Sequence, residues 1–231
     1  VKPALDSRLC LVLLLGCDAA VVLVFVYFLS PLWPWGPSHI HLLDPNGEAN
    51  LPTWYSSSKL LLAGVALAGR AWCLRSPFLM ACAALATGMS ADETANLHEL
   101  AGFLLSRHLP PHWQLFGDPS AHMWPYVYGI PAVMVIAVGM WWVRRHDRVV
   151  SWTDVLRLAG AFLVFFCGAV GLELVQQWWP QDHVPSLWGS VAVLMLLEES
   201  LENAGASLLL WAAVRTGPEA PRRVDDGFVG K

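Results

Sequence analysis

Residues 187–214 (LWGSVAVLMLLEESLENAGASLLLWAAV) constrain this chain more than any other stretch, because they are apolar at both ends and carry three acids in the middle. Neither flank crosses a bilayer alone: residues 187–197 number 11 and residues 203–214 number 12, against roughly 20 for a spanning helix. Read as one span, the stretch places Glu198, Glu199 and Glu202 in hydrocarbon. A central acid there costs about 3 kcal/mol and each large aliphatic returns about 0.5, so about a dozen aliphatics do not offset three acids. The acidic side is therefore expected to face other helices, a cavity or a bound cation.

The rest of the chain is read in that light. With 56% hydrophobic and 14% charged residues, and apolar runs near 20 residues, the expectation is all-α: a polytopic membrane protein forming a six-transmembrane-helix bundle. The spans are expected at residues 9–29, 60–74, 78–105, 125–143, 155–179 and 187–214, so that residues 1–214 form one bundle and 215–231 a polar cytoplasmic tail. The first segment resembles a signal peptide, but its apolar run continues a dozen residues past Cys17, so it is read as a span. Lys59 and Arg75 are expected to snorkel from the ends of the short second span. Twelve of the fourteen Lys and Arg fall on the side of the termini, with Lys59 and Arg107 opposite, which puts both termini in the cytoplasm. Abundant Trp with few Lys and Ile is the composition of a GC-rich bacterial gene, so the expected location is the bacterial inner (plasma) membrane. All five cysteines lie in apolar segments, and no disulfide framework is suggested.

The third span carries MSADETANLHELAGF in its second half. Its apolar part, residues 78–91, is too short to span, so Asp92 and Glu93 also enter the bilayer. Gly88 followed by Ser90-Ala91-Asp92-Glu93 reads as a helix stop and a capping box, which allows a break in this helix; such a break is tolerated where the backbone faces protein or a cavity. By helical rise, Glu99 and Glu173 lie roughly 10 Å from the outer side, and Asp92, Glu93, Glu198 and Glu202 about 16 to 23 Å. Asp92, Glu93, Asn96 and Glu99 share an arc of about 120°, and Glu198, Glu199 and Glu202 one of about 100°. His98 projects more than about 100° away unless the helix kinks. His108 and His112 have zinc-helix spacing, but Pro110 and Pro111 intervene, and surface histidines are the better reading.

No Lys or Arg is expected at the depth of these acids. Closely spaced carboxylates in low dielectric cannot all ionise; some hold protons, or a cation supplies the missing charge. The count of acids favours a divalent metal cation held by Asp92, Glu93, Glu99, Glu173, Glu198, Glu199 and Glu202, oxygen ligands suited to hard ions. The Glu-x-x-His pairs of ferritin-like dinuclear centres are lacking. Three functions stay open: a metal-dependent enzyme acting on a lipid-like or outer-face substrate, a proton or cation translocation pathway in which Asp18 continues the route inward, and a non-catalytic subunit or assembly factor. The expected partners are membrane lipids and other membrane-protein subunits, with no nucleic acid.

Overall fold

The structure, a computed structural model, describes residues 7–28, 51–108, 125, 129–147, 149–178 and 190–216, and the regular elements among them are helices. They are α1 (Ser7–Phe28), α2 (Leu51–Leu74), α3 (Pro77–Ala95), α4 (Leu97–Ser106), α5 (Ile130–His146), α6 (Trp152–Phe166), a π-helical segment (Cys167–Leu172), α7 (Glu173–Trp178) and α8 (Ser190–Arg215). The expected connections before α2, between α4 and α5 and between α7 and α8, with His112, fall wholly or largely outside these residues. So does most of the expected tail.

The helix starts follow from capping chemistry. Ser76, with extended backbone, accepts from Leu79 N ahead of Pro77, and Ser151 accepts from Asp154 N; each satisfies a donor that has no partner within its helix. Asp147 strengthens the start of α3, its carboxylate accepting from Ser76 Oγ and Phe78 N.

α8 forms the centre. It packs against α1, α2, α6 and the π segment, while α2 packs broadly on α3. Buried positions of α2 recur at Ser56, Leu60, Ala63, Leu67 and Ala71, the three-to-four spacing of one helical face. They meet Phe78, Leu79 and Cys82 of α3, and the core continues through Leu158, Phe162 and Phe165 to Leu209 and Ala213. The α6–α8 crossing is tight: a Cβ on Gly205 would lie 2.6 Å from Phe165 N.

Six spans are not supported. Among the described residues one helix, the continuous unit Trp152–Gln176, is long and apolar enough to cross a membrane by length and composition, so the polytopic bundle is corrected. The runs read as spans include polar and broken helix. α3 and α4 are 19 and 10 residues long and separate at Asn96. α5 has 17 residues and ends in Arg144, Arg145 and His146. α2 begins at Leu51 and takes three serines and Lys59 into its first turns, and α8 holds its three acids at mid-length.

The third-helix break is real but displaced. Gly88 and Ser90 sit inside α3, and Ser90 Oγ donates to Ser57 O at 2.9 Å instead of capping a helix. The chain turns at Asn96, whose φ of 49° and ψ of 45° are left-handed, a conformation Asn tolerates better than most side chains.

Candidate functional site

The break in α3 builds one wall of a cavity of about 580 Å³. Asn96 N still bonds Asp92 O at 2.7 Å, and beyond it Asp92 turns back as a cap: Oδ1 accepts from His98 N at 2.8 Å and Oδ2 lies 3.0 Å from His98 Nδ1. The kink thus brings His98 to the cavity, although on a regular helix it would face elsewhere.

α7 and α8 supply the opposite wall. Asp92, Glu93, Glu99, Glu173, Glu198, Glu199 and Glu202 all line this cavity, together with His98, Phe165, Phe166, Ile136 and Met195. Gln176 Nε2 donates to Glu198 Oε2. The π-helical segment carries Gly168 close to α8, where a Cβ would lie 3.0 Å from both Glu198 O and Glu202 Cγ. π segments of this kind recur at functional sites. Here the segment leads directly into α7, whose Glu173 lines the cavity with the acids of α8.

The described lining of the cavity contains no Lys or Arg, and its one basic side chain is His98. Burial pushes Glu198 up to about 8, and the Glu173 charge adds to this while the Gln176 hydrogen bond opposes it. Burial also raises Glu93, followed by the Glu199 charge; it raises Glu199; and it raises Glu202, with Glu93 and Glu199 adding. For His98 burial works downward, but the hydrogen bond and charge of Asp92 outweigh it and the net shift is up. These carboxyls therefore hold protons at pH values where an exposed Glu has lost them.

The expected metal centre is corrected. Among the described residues no group of three or more His, Cys, Asp or Glu side chains could hold a metal ion. The seven acids share a cavity, not a coordination sphere: they are spread over α3, α4, α7 and α8 around an open space of several hundred Å³.

A second polar centre lies beside the cavity and was missed from sequence. Lys59 does not snorkel; it is 3% exposed. Its Nζ donates to Asp18 Oδ1 at 2.8 Å, Asn203 O at 2.9 Å and Ser207 Oγ at 3.0 Å, and sits 3.9 Å from the Tyr55 ring centre. Burial lowers its pKa against the opposing pull of Asp18. Asn203 Nδ2 donates to Glu199 O at 3.0 Å, so the centre abuts the acidic turn of α8. The available signal was Asp18, a lone acid in an apolar helix, which requires a partner.

These features define a protein whose described residues fold into helices, with a carboxylate-lined cavity beside a buried ion pair. The chain belongs to the family described as Domain of unknown function (DUF8692), whose model matches residues 16–216. That span includes Asp18, Lys59 and every cavity acid. No curated protein and no solved structure matches the chain.

Proposed function

We propose that the chain is a proton-translocating element associated with a membrane, in which the cavity carboxylates take up and pass on protons and Trp152–Gln176 is the helix that meets lipid. The observation that carries this reading is the gathering of seven acids around one cavity whose described wall has no Lys or Arg. Neighbouring acids of that kind share protons and exchange them readily, because each ionisation raises the cost of the next. The polar groups also continue past the cavity. Asn203 and Ser207 meet Lys59, and Lys59 meets Asp18, so a second titratable centre adjoins the first, as a relay requires.

The test is reconstitution into liposomes containing a pH-sensitive dye. Wild-type protein is expected to dissipate an imposed pH gradient faster than empty liposomes, and Glu202→Gln and Asp18→Asn to slow it at least about tenfold, the loss expected of a missing relay group. Infrared difference spectra between about pH 6 and about pH 9 should show protonated carboxyls that disappear at the upper value. Gradient decay equal to that of empty liposomes, with no protonated carboxyl near neutrality, overturns the reading.

A further inference from the structure

A groove of about 890 Å³, which shares Ile136 and Phe166 with the acidic cavity, runs between α5 and α6, floored by Phe78 of α3. α5 packs on α3 and stands off α6; no described residue of α5 proper is buried. The walls are apolar, including Ile136, Met140, Leu156 and Phe162, and at one end the lining changes to Arg144, Arg145, Trp141 and Trp152. From Trp152 to Phe166 the groove follows α6 for about 21 Å by helical rise, more than the roughly 15 Å of hydrocarbon in one leaflet. It also follows the one described helix that is long and apolar enough to cross a membrane.

The charged end is under-used by the protein. Arg144 donates through Nη1 to the main-chain oxygen of Asp147, and its buried Nε has no partner. Arg145 is exposed, with its guanidinium 5.5 Å from the Trp141 ring centre, and the Arg144 guanidinium is 5.3 Å from that of Trp152. Among the described residues neither arginine forms an ion pair with a carboxylate; the nearby Asp147 carboxylate accepts from Ser76, Phe78 and Val149 N.

We infer that this groove binds an anionic phospholipid, with an acyl chain between α5 and α6 and the phosphate against Arg144 and Arg145. The occupant follows from complementarity. An apolar trench ending in two cations and two indoles matches a molecule that is apolar along its length and anionic at its head. Basic pockets between helices at a membrane surface recognise lipid phosphates in this way, and indoles favour headgroup depth.

The test uses the full chain in a neutral mild detergent, with added dioleoylphosphatidylglycerol or dioleoylphosphatidylcholine, read by native mass spectrometry and thermal unfolding. The expected result is a retained one-to-one phosphatidylglycerol adduct and a raised melting temperature, with phosphatidylcholine held at least about tenfold more weakly, since the headgroup charge is what differs. Arg145→Gln, at an exposed position, should weaken the phosphatidylglycerol adduct. Ala159→Phe, which fills the groove and leaves both arginines in place, should also displace it. Equal retention of the two lipids, indifference to both substitutions, competition by inorganic phosphate alone, or a dimer in place of the lipid adduct overturns the inference. Each readout is independent of proton movement, so it stands or falls apart from the proposed function.

Discussion

Lys59 Nζ and Asp18 Oδ1 are 2.8 Å apart, with side chains 4% and 9% exposed, and this pair joins α1 to α2 against α8. Removing one partner strands a buried charge, which costs about 3–5 kcal/mol, whereas replacing both by apolar groups is often close to neutral. Lys59→Met and Asp18→Leu are each expected to lower the melting temperature sharply, and the double variant to recover most of the loss. A double-variant loss equal to the sum of the singles would show that the two residues act independently.

Stability should fall as pH rises through neutrality. Glu198 goes from its ordinary 4.5 to about 8 in the fold, so the native state binds a proton more tightly than the unfolded chain. Its contribution is complete below about pH 4.5 and is lost on approach to pH 8. Glu93, Glu199 and Glu202 shift in the same direction. Glu198→Gln should flatten the decline and unfold several degrees above wild type near pH 8, at about 2–4 °C per kcal/mol for a chain of this size. Melting curves across this pH range decide it; a wild-type melting temperature that rises with pH contradicts the raised carboxyls.

Asp92 acts on His98 in two ways that substitution separates. Asp92→Asn keeps an acceptor for His98 N but removes the charge that raises His98, so the imidazole should titrate lower in histidine NMR spectra. A raised His stabilises below its unfolded pKa and loses that contribution as pH rises through the folded value. The variant should therefore lose stability on the acid side. Asp92→Ala also removes the cap, at about 1 kcal/mol more.

Gly205 marks the closest helix crossing. Gly205→Ala places a Cβ against Phe165 backbone atoms at 2.6–2.7 Å, and overpacking of this kind costs about 1–3 kcal/mol. Gly160→Ala, where nothing lies within 4 Å, should instead stabilise by up to about 1 kcal/mol through helix propensity. Paired denaturation curves with opposite signs are the expected outcome.

Local chemistry determined a good deal of this protein from sequence alone. Helical character followed from apolar run lengths, and the shared arcs of Asp92, Glu93 and Glu99 and of Glu198, Glu199 and Glu202 followed from helical angle, because both are properties of a single helix. What the acids gather around is a matter of spacing between helices, and there the metal reading failed: residues that line one cavity need not share a coordination sphere. The number of spans failed for a related reason, since hydropathy averages a segment and does not register where Asn96 turns left-handed or where Ser56–Lys59 joins a helix. His98 reached the cavity by that turn. Lys59 could be assigned only from packing: a Lys at the edge of an apolar run is equally able to snorkel or to turn inward, and tertiary structure decided for the interior by placing Asp18, Asn203 and Ser207 within hydrogen-bond reach of its ammonium.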